Sequence, residues 1–136
     1  MKRPRQPKPK VKESEARYRR LLDMLPDAIL IYCGGKCVFA NAAAARLFGA
    51  ASPKEMLGLD VIDLPHPDFQ AFVQQRINLA YGGKHEQLQE IKILRLDGHP
   101  VDVEIMALAI TYKRLPAIQV VLKDMTCRQL TEEVVR

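Results

Sequence analysis

Hydrophobic positions along the chain change period several times, and each change marks an element. From Glu13 the spacing is helical: Tyr18, Leu21, Leu22 and Leu25 share one face, and Pro26 ends the run. Asp27 to Cys33 and Lys36 to Ala40 are apolar on both faces and flank Gly34-Gly35. Paired glycines supply the positive φ of a tight primed turn, so this segment predicts a hairpin inside a covered sheet. Three short helical stretches follow. Asn41 caps Ala42 to Phe48, with Gly49 just beyond; Ser52-Pro53-Lys54-Glu55 reads as a capping box before Met56-Leu57-Gly58; and a brief turn spans Val61 to Leu64. Pro67 then opens a longer helix with Phe69, Phe72, Val73, Ile77 and Ala80 on one side, stopped by Gly82-Gly83.

The remainder reads as strand. Gln87 to Leu96 and Pro100 to Tyr112 flank Asp97-Gly98, and side-chain facing fixes their register. A two-residue loop would set Ile93 opposite Asp102 and Ile91 opposite Glu104. A three-residue loop, Leu96-Asp97-Gly98 with Gly98 left-handed, sets Ile93 on Val101, Ile91 on Val103 and Lys92 beside Asp102, and is preferred. Its cost is Glu90 opposite Glu104, tolerable where both are solvated. A last strand, Pro116 to Asp124, alternates Ile118, Val120 and Leu122 against Gln119 and Lys123. The fold class is therefore α+β, with a five-stranded antiparallel sheet covered on one face by the helical block.

The last strand passes without a loop into a polar, helix-favouring tail. There Cys127, Leu130 and Val134 fall at spacings of three and four, the seam of a two-helix contact. Ten residues cannot hold a helix alone in water. The tail is expected to pair with a copy of itself or to continue into a further segment.

The formal charge of +5 suggests nucleic acid until its distribution is examined. Residues 1–12 hold six of the 21 basic residues and no acid, leaving the rest with 15 basic against 16 acidic. Pro4, Pro7 and Pro9 within that stretch describe a solvated, disordered leader better than an arm for phosphate or an anionic membrane, so no nucleic acid is expected. No apolar stretch approaches the roughly 18 residues of a membrane span, and no signal-peptide core follows the basic start, which predicts a cytoplasmic chain. Cys33, Cys37 and Cys127 make no disulfide framework, and Cys33-x-x-x-Cys37 lacks a second pair or a nearby histidine, so no metal is expected. With no phosphate loop, no nucleophile elbow, no zinc-protease pair and no paired carboxylates on a helix face, the domain is not expected to be an enzyme.

Several phrases, in order and spacing, resemble a Per-Arnt-Sim (PAS) sensor domain from about Glu13 to Arg136. They are Arg17-Tyr-Arg-Arg-Leu-Leu-Asp-Met-Leu-Pro-Asp27-Ala28-Ile29, Val38-Phe-Ala-Asn41-Ala-Ala, Leu47-Phe-Gly49, Gly58 with His66-Pro67, Leu96-Asp97-Gly98, and Leu122-Lys-Asp124-Met125-Thr126. The resemblance implies sheet order 2-1-5-4-3, flanking N- and C-terminal helices, and a division into leader (1–12), sensor domain (13–126) and the start of a signalling helix (127–136). Asp124 and Thr126 resemble the junction where the last strand hands over to that helix, with Leu130 and Val134 as its relay seam. Lys113-Arg114 depart from the family, where a glycine is common, and predict a longer or differently shaped turn.

The resemblance further implies a cytoplasmic sensory and dimerisation module, a homodimer through its terminal helices, coupled covalently to an output domain. Such outputs are most often a histidine kinase of a two-component system or a diguanylate cyclase. A haem- or other cofactor-dependent gas or redox sensor and the PAS part of a DNA-binding regulator are the alternatives. Flavin-binding light sensors of this type need a reactive cysteine after the first helical segment, and residues 41–126 contain none, which excludes the flavin-cysteinyl variant. Haem-binding members use a histidine on or near the long helix; Phe69 to Tyr81 contains none, which leaves His66 and His85 and disfavours haem. A small organic ligand would occupy a cavity lined by Ile29, Ile31 and Phe39 of the first hairpin and by Asn41, Leu47, Phe48, Met56 and Leu64 of the helical block. Phe72, Val73 and Ile77 of the long helix and Met106, Ile118 and Val120 of the later strands complete the lining. The same set describes a filled core, which is the favoured reading.

Overall fold

Five of the six residues of β1 (Ala28–Cys33) are buried, because β1 is flanked on both sides within a five-stranded antiparallel sheet ordered β2-β1-β5-β4-β3. The structure, a computed structural model, describes residues 7–82 and 88–125, with residues 7–15 described as backbone only. In chain order, α1 (Pro7–Met24) precedes β1; β2 (Lys36–Ala40) and α2 (Ala42–Phe48) follow it. Single turns of 3-10 helix at Pro53–Met56, Val61–Asp63 and Pro67–Phe69 lead into α3 (Gln70–Tyr81), and β3 (Gln89–Leu94), β4 (Pro100–Tyr112) and β5 (Leu115–Asp124) complete the sheet. The antiparallel α+β architecture and its strand order are those expected.

The turns follow from backbone chemistry. Gly34 and Gly35 sit at φ 60° and 82°, the primed turn of the first hairpin. Gly98 at φ 90° is the left-handed bulge that closes the β3–β4 loop, and the register is Ile93 on Val101, Lys92 on Asp102 and Ile91 on Val103, as side-chain facing requires. Lys92 Nζ meets Asp102 Oδ1 at 2.7 Å. Glu90 does face Glu104, and Lys123 of β5 stands opposite Glu104 on its other side.

Four local expectations need correction. First, α1 begins at Pro7, not Glu13, so part of the stretch expected as an extended leader is helical backbone; prolines are tolerated in a first turn, where their missing N–H has no intrahelical acceptor. Second, β2 is an edge strand in which Lys36 and Val38 are exposed, Phe39 is half-buried and only Cys37 and Ala40 are buried, and the register shifts by a bulge at Val38, opposite Ile31 and Tyr32, so only β1 is covered on both faces. Third, the capping box does not form: Ser52 makes no side-chain cap, and Glu55 Oε1 accepts instead from the Ala51 N–H. Fourth, Lys113 and Arg114 form an ordinary two-residue primed turn, with Tyr112 opposite Leu115, although neither is glycine; their φ values are 50° and 69°.

The sheet carries two cores. On one face, Ala28, Leu30 and Tyr32 of β1 join Ile118, Val120 and Leu122 of β5 beneath Phe48, Met56, Leu64, Val73 and Ile77 of the helical block. On the other face, Ile29 and Ile31 pack with Tyr112, Ala117 and Leu22 of α1. Among the described residues, no helix is long and apolar enough to cross a membrane.

Candidate functional site

Asn41 is wholly buried, and every hydrogen-bonding group of its side chain is used. Its Oδ1 accepts from Ala44 N at 2.9 Å, the expected helix cap, and from Ile29 N at 3.0 Å. Its Nδ2 donates to Leu22 O at 2.7 Å and to Asp27 O at 3.0 Å. One side chain thereby fastens the end of α1, the start of β1 and the start of α2. Asn41 was expected to line a cavity; it is instead a junction, because four backbone groups converge on it and leave none of its atoms for a ligand.

α1 lies against the sheet face opposite the helical block. Leu22 is its anchor, 5% exposed. The Tyr18 hydroxyl donates to Gln119 Oε1 of β5, and Arg19 Nε donates to Tyr112 Oη of β4 at 3.0 Å, with the guanidinium carbon 5.8 Å from the Tyr112 ring centre. Leu21, Met24 and Leu25 point away from the sheet and stay exposed, Met24 by 79%.

The exit of α1 and the exit of β5 meet in one cleft of about 240 Å3, lined by Pro26 and Asp27, by Leu122 and Asp124, and by Arg46, Leu47 and Arg95. Arg95 Nε is buried without a hydrogen-bond partner, and its guanidinium packs so close to Gly49 that a Cβ there would lie 3.0 Å from an Arg95 nitrogen. Beyond Asp124, Met125 is buried and its N–H donates to Asp102 O at 3.1 Å. Thr126, Leu130 and Val134 lie outside the described residues, as do the expected tail helix, Cys127 and His85.

The expected cavity residues divide between the two cores. Phe48, Met56, Leu64, Val73, Ile77, Ile118 and Val120 come together under the helices, with Leu47 and Phe72 packed at the edge. Ile29, Ile31 and Phe39 do not; they belong to the opposite face, against α1. Met106 does not join the helical-face core either. It stands opposite Val121, which packs on the α1 side. The physical reason is strand parity: β1 is apolar on both faces, so composition does not say which set faces the helices, and the pairing Leu30 on Val120 decides it.

The space left under α3, between Phe72, Val73, Ile77, Ile105, Ala107 and Val120, is about 20 Å3. That holds about one water molecule. Among the described residues, no three His, Cys, Asp or Glu side chains gather as a metal site. His66 is used as a cap, its Nδ1 accepting from Asp68 N at 3.1 Å, and His99 pairs with Asp97, whose carboxyl is held below its usual range chiefly by the hydrogen bond from the His99 N–H.

One buried polar residue was missed altogether. Tyr32 reads as one more apolar position in Ala28-Ile-Leu-Ile-Tyr-Cys33, yet it brings a hydroxyl into the helical-face core. The only sequence signal is that hydroxyl within an otherwise hydrocarbon run.

Comparison with known proteins places these features. Sporulation kinase A of Bacillus subtilis (strain 168) is 28% identical over 125 residues, which cover 91% of this chain and 21% of that protein. The chain thus spans about a fifth of the length of this curated relative. The PAS domain of a protein from Colwellia psychrerythraea superposes with a TM-score of 0.72 at 22% identity, over 83% of this chain and 98% of that one. A LOV protein of Rhodobacter sphaeroides superposes with a TM-score of 0.72 at 16% identity, over 91% and 73%. At such identities the two structures speak to fold alone. Residues 16–125 match the PAS fold family, and the chain belongs to it.

Proposed function

We propose that this PAS domain is the sensory and dimerisation module of a longer signalling protein, most simply a histidine kinase, and that α1 and the segment after β5 carry its signal. The observation that carries this reading is the meeting of the two exits: Pro26-Asp27 after α1 and Asp124 at the end of β5 line the same cleft, with Asn41 bonding the end of α1 to β1 and α2. A change in how α1 docks is thereby felt at the strand that hands on the chain. Coupling of this kind needs roughly 1 to 3 kcal/mol between two packings. The kinase relative, which is more than four times as long as this chain, supports an output domain outside the sensor, and catalysis is assigned there. The filled core supports signalling without a flavin or haem under α3, and the lack of cysteine from 41 to 126 speaks against a cysteinyl flavin adduct.

The partner of the exposed Leu21, Met24 and Leu25 edge is a second copy of the chain. Spacings of three and four give α1 the stripe of a two-helix contact, on the side away from the sheet. Sedimentation of the full chain tests this. The wild type should dimerise, and Leu21→Glu with Met24→Glu should be monomeric with unchanged circular dichroism. A monomeric wild type, or a dimer that survives both these charges and charges at Leu130 and Val134, would overturn it.

A further inference from the structure

Five cations gather at one end of the molecule, where α1 crosses the β4–β5 turn. Arg19 Nε donates to Tyr112 Oη at 3.0 Å, and Lys113 Nζ stands 5.6 Å from the centre of the same ring. Arg17 and Arg20 flank Arg19 on α1, Arg114 follows Lys113 in the turn, and these four residues other than Arg19 are exposed. Among the described residues, none of the five takes part in an ion pair. β4 and β5 carry no acid between Ile105 and Leu122; Asp102, Glu104 and Asp124 all sit at the other end of those strands. The neighbouring β1–β2 hairpin, whose Cys33 Sγ donates to Pro116 O at 3.4 Å, adds Lys36, which is already paired with Asp60 at 2.6 Å.

Two observations set this patch apart from an ordinary solvated face. Lys113 and Arg114 hold φ values of 50° and 69°, a conformation that glycine or asparagine adopts more readily, so the turn keeps two long cations against its own backbone preference. Leu115, the next residue, is 55% exposed. Strand parity puts it on the face of Ala117, the side on which α1 lies, so an exposed hydrocarbon stands beside the cations.

We propose that this end of the domain docks on an anionic phospholipid surface. The cations attract the headgroups, and Leu115 enters the boundary between headgroups and acyl chains from a convex hairpin tip. A nucleic acid is the poorer fit, because it binds along basic grooves with stacking aromatic rings, whereas here the Tyr112 ring is buried and the exposed side chain is a leucine. The patch is separate from the basic stretch of residues 1–12 and from the clefts between sheet and helices. It does not rest on the sensory reading above.

The test uses the full chain, co-sedimented with phosphatidylcholine vesicles containing about 30% phosphatidylglycerol, at about 50 mM salt. The wild type should bind these vesicles, should not bind phosphatidylcholine alone, and should lose roughly tenfold or more in affinity at about 300 mM salt. Lys113→Asn with Arg114→Gly relieves the turn, so the fold is kept, and should bind roughly ten- to thirtyfold more weakly. Leu115→Gln should weaken binding severalfold. Lys54→Gln, an exposed cation on the helical face, should bind as the wild type does. No binding at low salt, equal binding to neutral vesicles, or undiminished binding in the turn variant would each overturn the assignment, the last by giving the attraction to residues 1–12. Tighter retention on duplex DNA or RNA than on vesicles, indifferent to Leu115→Gln, would overturn it in favour of nucleic acid. A dimeric chain with any of those results would sink the membrane surface and leave the sensory reading standing.

Discussion

The side-chain amide of Asn41 donates to the carbonyl of Leu22 at 2.7 Å, joining the last turn of α1 to the first residue before α2 through a group that no solvent reaches. With its bonds to Asp27 O, Ile29 N and Ala44 N, this places the only wholly buried polar side chain among the described residues at the point where the N-terminal helix meets the sheet.

Removing it should be severe. Asn41→Leu would strand two buried N–H groups and two carbonyls, at an expected cost of roughly 3 kcal/mol or more. Asn41→Asp keeps the two bonds made by Oδ1 but turns a carboxylate toward the carbonyls of Leu22 and Asp27, and should also destabilise. Urea unfolding checks both. An Asn41→Leu protein as stable as the wild type would show that water replaces the side chain at no cost.

Lys113 and Arg114 occupy the left-handed region with side chains that disfavour it. Their turn is nonetheless the two-residue primed type, because the twist of β4 and β5 demands it. Lys113→Asn with Arg114→Gly should therefore raise stability by about 1 kcal/mol or more, read as an increase in the urea midpoint with an unchanged slope. A decrease would mean that the Lys113 ammonium, 5.6 Å from the Tyr112 ring centre, contributes more than the strain removes.

What was legible in the chain was local. Gly34-Gly35 and Asp97-Gly98 dictate their turns through φ, and the β3–β4 register follows from the apolar residues flanking a three-residue loop. Pairing between β1 and β5 is different: Leu30 meets Val120, ninety positions further along the chain, with no turn to set the register. That single unknown reversed the placement of Ile29, Ile31 and Phe39. The cap formed by Asn41 could be read from its position before Ala42, whereas its bonds to Leu22, Asp27 and Ile29 depend on where α1 lies. Tyr32 escaped for a related reason, since an aromatic in an apolar run carries no mark of whether its hydroxyl finds a partner. PAS resemblance supplied the strand order, which composition alone left open.

The clasp between Arg19 and Tyr112 should hold α1 to the sheet. Arg19→Ala and Tyr112→Phe each remove the 3.0 Å hydrogen bond, and the second keeps the ring under the remaining guanidinium. Arg19→Ala should loosen α1 by roughly 1 kcal/mol, seen as faster amide exchange across residues 16–24 with little change in β1 or β5. Tyr112→Phe should loosen it less. A double mutant whose effect equals the sum of the two singles would show that these residues do not act together.

Cys37 gives the fold a pH dependence with a defined sign. The thiol is 3% exposed in the core beside Tyr32, and burial pushes it from 9 up to about 11. On raising the pH, the unfolded chain therefore loses this proton first, and the folded state is favoured less with each step between pH 9 and 11. Below 9 the contribution is constant; across the window it amounts to about 3 kcal/mol. Cys37→Ala lowers stability at neutral pH by leaving a small void, and its unfolding free energy should fall less steeply than that of the wild type over the same interval. The buried tyrosine is present in both proteins, so its own ionisation cancels in the difference. Parallel slopes in the two proteins from pH 9 to 11 would show that Cys37 ionises in the folded state as freely as a solvated thiol.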